Sequence, residues 1–250
     1  MFMRMLQVKV KDEEVVRLGE LYAERIIPAL QKTEGCLNAS LIRSVRDPEE
    51  CISMTLWTTR QHAEAYGRSD LYKQLLEEAR PYFADSSEFT MRLSKDLKLE
   101  YLPSPVEPEL KSYAIPEKNS ATPLLHDATP YVRIASAHVK HDRLREFISL
   151  YNETILPILH GVKGCRYAYL SESVKEEDQL LSVTIWDSEQ DAENYELSGL
   201  FEELQGKLQD TFVDVLQWKM QLRKQSGATV VTSEDSEAEM FSVVSSKSFL

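Results

Sequence analysis

The stretch SMTLWTTRQHAEAY at residues 53–66 returns downstream as SVTIWDSEQDAENY at residues 182–195. In each, an apolar run ends in a tryptophan and gives way at once to a polar, helix-forming run. Sliding the sequence by 129 residues extends the match, without a gap, from residues 4–93 onto residues 133–222. Roughly a third of the aligned positions are identical, far above chance for an ungapped pairing. Leu21-Tyr22, Gly35-Cys36, Trp57, Tyr66 and Phe83 recur as Leu150-Tyr151, Gly164-Cys165, Trp186, Tyr195 and Phe212. The chain is a tandem duplication.

Within the first copy, MLQVKV alternates, so Leu6, Val8 and Val10 share one strand face while Met5, Gln7 and Lys9 share the other. A helical spacing of apolar residues follows, with Asp12 as the expected N-cap, Gly35 as the stop and Pro28 as a kink or break. A hairpin turns at Asp47-Pro48; a short helix starts near Thr59 and a second is capped by Ser69 or Asp70. Phe89, Met91 and Leu93 alternate as a last strand.

Strand, helix, two strands, helices, strand is the order of a ferredoxin-like α+β unit. A lone unit leaves one sheet face uncovered, so two copies packed sheet to sheet would bury both, as an intramolecular pseudo-dimer. Pairing into a further homodimer stays open. The expected domains are residues 1–97 and 131–223. A Pro-rich linker at 98–130 joins them, and an acidic, Ser-rich tail without fixed structure is expected at 224–250.

The 250 residues are 42% hydrophobic and carry a net charge of −12, with a pI near 5.0. That balance offers no basic surface to neutralise phosphates, so neither nucleic acid nor a membrane is an expected partner. No leader or apolar span is visible, and a cytoplasmic location is expected. Cys36, Cys51 and Cys165 lack CxxC spacing and read as reduced, structural thiols. The five histidines make no metal-ligand pattern, and no glycine-rich phosphate loop or GxSxG elbow occurs. Neither a metal nor another cofactor is expected.

The strand order, the Gly-Cys entry to the second strand, the TLW strand end and the A-E-x-Y-x-x-S-x-L run together resemble the antibiotic biosynthesis monooxygenase family of dimeric α/β barrels. The resemblance covers about 90 residues in each copy. It implies a pocket between sheet and helices in which a cofactor-independent monooxygenase oxidises a small aromatic or phenolic substrate with dioxygen. Trp57 and Trp186 are then candidate pocket walls, although a tryptophan at a strand end is also ordinary core packing. Tyr66 and Tyr195 are candidate hydroxyl donors to substrate. Gln7, Ser136 and His138 are the candidate catalytic residues, with the second copy favoured because His138 sets a titratable group beside a hydroxyl.

The haem-degrading branch of the family implies asparagine, tryptophan and histidine where this chain has Gln7 and Ser136, Tyr66 and Tyr195, and Leu76 and Gln205. That reaction is therefore the weaker expectation. A reading of another class is a module that binds a small ligand or a protein and has kept the barrel without chemistry.

Overall fold

The structure is a computed structural model that describes residues 1–93, 99–105, 109–114, 130–174, 178–213 and 238–249. The first copy runs β1 (Phe2–Lys9), α1 (Val15–Leu21), α2 (Ile27–Gln31), β2 (Cys36–Ser44), β3 (Glu50–Trp57), α3 (Arg60–Arg68) and α4 (Asp70–Ala79). After it come β4 (Asp85–Leu93), β5 (Leu99–Pro105) and β6 (Glu109–Ala114). The second copy repeats the order as β7 (Tyr131–His138), α5 (Leu144–Leu150), α6 (Leu156–Gly161), β8 (Cys165–Ser173), β9 (Gln179–Trp186), α7 (Glu189–Leu197) and α8 (Leu200–Leu208). The described chain ends in β10 (Ala238–Ser248).

Among the described residues, eight strands close one barrel in the order β1-β3-β2-β10-β7-β9-β8-β6. Alternation splits each strand between two cores. On β1, Phe2, Leu6 and Val8 pack beneath the helices, whereas Met3 and Met5 point into the barrel. The barrel interior is shared by the copies: Met3, Ile42 and Met54 from the first meet Val132, Val183 and Ile185 from the second. The exposed sheet face expected of a single unit is thus buried against its duplicate.

Two strands that close the barrel come from segments expected to be linker and tail. Backbone pairing sets β6 between β1 and β8, and β10 between β2 and β7. Ser246 joins Ser40 at 2.8 Å, and Asn38 donates to the Lys247 carbonyl at 3.1 Å. Advanced by the 129-residue offset, β6 falls within β10. Linker and tail are one repeated element whose side chains have diverged beyond recognition. The expected last strand does form, as β4, but it pairs with β5 in a separate two-stranded sheet, Met91 opposite Tyr101. Its alternation specifies a strand without specifying a partner, and a partner close in sequence closes the smaller loop. The corresponding expectation in the second copy, near residue 220, lies outside the described residues.

Pro28 does not end its helix. Residues Tyr22–Ile26, and Tyr151–Ile155 in the second copy, wind into a π-helical turn just before the proline, and α2 and α6 continue beyond it. The wider turn accommodates the residue that lacks an N–H donor. Asp12 is no side-chain cap; it pairs with Arg43 across the hairpin. Thr59 and Ser69 do cap α3 and α4, accepting from the His62 and Tyr72 amides. Gly35 and Gly164 adopt φ of +77° and +81° where the helix turns into β2 and β8, which explains the repeated Gly-Cys pair.

Candidate functional site

Equivalent cavities lie between sheet and helices in the two copies, yet they differ in size: about 60 Å³ in the first and about 340 Å³ in the second. Aligned residues explain the difference. Leu6 and Val8 fill the first cavity from β1; Ala135 and Ala137 stand in their places on β7. The second copy gains bulk at Phe147 and Leu208, against Leu18 and Ala79, but these do not refill the space above the strand. Tyr195, Phe201, Phe147 and Phe212 give the larger cavity aromatic walls, as an aromatic ligand of modest size requires.

An arginine stands at the same β-strand position in each cavity. Arg4 is 5% exposed and Arg133 2%. Arg4 donates from Nη1 to the Ala63 carbonyl at 2.9 Å, and its guanidinium lies 5.4 Å and 5.0 Å from the ring centres of Tyr66 and Tyr72. Burial holds Arg4 below its ordinary value, with the neighbouring tyrosines opposing that shift. Gly67 makes this fit possible, since a Cβ there would stand 2.7 Å from Arg4 Nη1.

In the second copy the residue aligned with Gly67 is Glu196, and Arg133 Nε donates to its carboxylate at 2.7 Å. Phe201 replaces Tyr72 and sits 4.0 Å from the Arg133 guanidinium, with Tyr195 at 5.5 Å. These distances suit cation–π contact.

Trp57 and Trp186 are fully buried behind the cavities. Each indole donates to a threonine on its own strand, Thr55 or Thr184, at 2.9 Å. Each also packs against the cavity tyrosine, with ring centres 5.1 Å apart for Trp57 and Tyr66 and 5.0 Å for Trp186 and Tyr195. The tryptophans therefore back the walls, and the tyrosines form them. Burial pushes Tyr195 up to about 12, with Arg133 pulling it down, and raises Tyr66 as well. Both hydroxyls therefore stay protonated near neutrality.

The candidate catalytic residues Gln7, Ser136 and His138 do not point into the cavities of their copies. Gln7 bonds Glu50 on the neighbouring strand. Ser136 borders the second cavity, but alternation sets its side chain with Val132 and Ile134 on the barrel side. His138 lies opposite Gln179 at the strand end and lines neither cavity. The sequence separates the two faces of the first strand, with the polar face expected to meet the pocket; the pocket faces the other one. What that expectation misses is Arg133 with Ala135 and Ala137. For the alanines the signal is the difference between aligned copies on that second face, Leu6 and Val8 against Ala135 and Ala137; for Arg133 it is recurrence, since Arg4 holds the aligned position.

Burial lifts the thiols of Cys36 and Cys165 to about 12 and of Cys51 to about 11, so none is a nucleophile near neutrality. Leu76 and Gln205 each line a cavity at the positions where a haem ligand would be needed, and neither supplies an imidazole. The residues present do not fit haem. No group of metal-ligating side chains is assembled among the described residues. Nor is any described helix long and apolar enough to cross a membrane.

The sequence matches the family model described as antibiotic biosynthesis monooxygenase over residues 1–78 and 130–207. No curated protein matches the chain. Among solved structures, a protein of Fusobacterium nucleatum proposed to be a monooxygenase superposes with a TM-score of 0.65 at 9% identity, covering 99% of this chain and 94% of its own. One of Lactobacillus acidophilus, also proposed to be a monooxygenase, gives 0.60 at 7%, with 99% and 96% covered. An anthrone oxidase-like protein gives 0.55 at 13%, with 99% and 93% covered. At such identities the likeness is one of fold.

Proposed function

From a chain that belongs to the antibiotic biosynthesis monooxygenase family in both of its halves, we propose a monooxygenase that works without a cofactor on a small aromatic substrate held in the second cavity. The observation that carries this reading is the 340 Å³ space walled by aromatic rings, beside a first-copy counterpart of 60 Å³. The first copy is then a structural partner that completes the barrel.

An electron-rich methylene, as in an anthrone, loses a proton to give an anion delocalised over the rings. That anion passes one electron to dioxygen; the carbon radical and superoxide combine to form a C–O bond. The peroxide anion so formed takes the proton back, and loss of water from the hydroperoxide leaves a ketone, so one oxygen atom enters substrate and the other leaves as water. Tyr195 and Arg133 lie where they can stabilise the anion, and the aromatic walls exclude solvent from the radical pair. In this reading Glu196, about a third exposed and lining the cavity, accepts the proton.

The test is oxygen uptake by metal-stripped protein over a panel of anthrone-type and hydroquinone substrates. Uptake above the buffer rate that is lost in an Ala135→Leu, Ala137→Val variant supports the reading. Ligand binding without uptake across the panel would instead favour a binding module that kept the barrel without the chemistry.

A further inference from the structure

The second copy leaves a buried cation incompletely paired, and this difference from the first copy indicates the ligand. Arg133 is 2% exposed and lines the larger cavity, yet its Nη2 finds no hydrogen-bond partner among the described residues. A buried donor left unpaired is costly, and buried donors are rarely orphaned. Arg4, in the same place in the first copy, shows how the chain satisfies such a group when nothing else is to bind. Its Nη1 reaches a carbonyl, and the Tyr72 hydroxyl supports it.

Two substitutions undo that arrangement. Phe201 in place of Tyr72 removes a hydroxyl while keeping a ring against the guanidinium. Glu196 in place of Gly67 engages Nε alone, leaving the far edge of the guanidinium without a carboxylate. Ala135 and Ala137 open space beside it on the same strand face. Glu202 and Arg46, both exposed, line the cavity as well and oppose each other in sign. With Glu196 engaged at Nε, the Nη2 edge of the buried guanidinium is the donor that a ligand meets.

We propose that Arg133 Nη2 receives the carboxylate of an aromatic acid, whose ring system lies among Phe201, Tyr195 and Phe147. A carboxylate is ionised throughout the neutral range, and guanidinium donors bind it with short, charge-assisted hydrogen bonds. This inference rests on the second cavity being the binding site and adds the charge of the molecule that enters it.

The test compares three probes of similar shape, 2-naphthoate, 2-naphthol and 2-naphthylmethanol, by calorimetric titration of the full chain. 2-Naphthoate is expected to bind at least about tenfold more tightly than 2-naphthylmethanol, the advantage of one charge-assisted hydrogen bond. Arg133→Met should erase that advantage. Because replacing a buried arginine can disturb folding, Phe201→Tyr is the second variant. It keeps the charge, restores the hydroxyl found in the first copy, and should weaken 2-naphthoate selectively. Equal affinity for the three probes, or preference for 2-naphthol alone, overturns the carboxylate assignment while leaving the cavity as the site. Failure of all three to bind overturns both.

Discussion

At the scale of single residues, small differences between aligned positions decide which copy can hold a ligand. Replacing Ala135 with Leu and Ala137 with Val should fill the second cavity as Leu6 and Val8 fill the first. Filling an apolar cavity recovers packing, so this variant should be more stable by about 1–3 kcal/mol in urea unfolding while losing ligand. A loss of stability would mean that the cavity is shaped differently from its counterpart. Gly35 makes a second residue-scale case: its φ is positive and an added Cβ would stand 2.1 Å from His62 Nδ1. Gly35→Ala should cost about 1–2 kcal/mol from the backbone alone, and more from the collision. A His62→Ala background removes the collision with the ring and leaves the backbone part and the 2.8 Å approach to the His62 Cβ, so the cost should fall there, which a double-mutant cycle measures. Tyr195 adds a pH dependence. Burial raises its folded value to about 12, above the ordinary value near 10. Its contribution to stability is whole below about pH 10 and is lost as pH rises through about 12. Tyr195→Phe should remove that alkaline component of unfolding and leave the pH dependence below 9 unchanged.

Elements were legible in the sequence where their pattern was both local and repeated. The strand of residues 2–9, the hairpin around Asp47 and the capped helices after Trp57 all follow from alternation, turn residues and Thr or Ser caps. The π-helical turns were not legible, because Pro28 and Pro157 forbid an ordinary continuation without stating which alternative the chain takes. Nor were β6 and β10, whose side chains have no common pattern; their place is fixed by the open strand edges that they cover. Those edges carry the prediction. Truncation after residue 237 removes β10 and leaves the backbone donors and acceptors of β2 and β7 facing one another unpaired. The shortened chain should unfold at lower denaturant and associate through its open edges, as size-exclusion and urea titration would report. A monomer of unchanged stability would mean that the barrel does not depend on its last strand.

On the scale of the whole molecule, duplication has separated two tasks. Both copies contribute to the interior of one barrel through side chains such as Met54 and Val183. Only one keeps a roomy cavity between sheet and helices. The fold was readable from the repeat because strand and helix periodicity is imposed by burial, and burial is the same in both copies. The site was only partly readable. Tyr195 is legible through the family resemblance, which marks Tyr66 and Tyr195 as hydroxyls for a substrate. Arg133, Ala135 and Ala137 lie on a face whose role depends on which side of the sheet the helices cover, and alternation alone does not say which side that is. Gln7, Ser136 and His138 stand out by polar character, while the charged group with an unpaired donor is Arg133, three residues before Ser136 and five before His138.

If one of the two duplicated cavities is the site, binding stoichiometry shows it. Calorimetric titration of the full chain with an aromatic acid such as 2-naphthoate should give one ligand per chain. That ligand should be lost in Ala135→Leu, Ala137→Val and kept when the first cavity is altered by Leu6→Ala. Two ligands per chain, or binding that survives filling of the second cavity, would contradict the account.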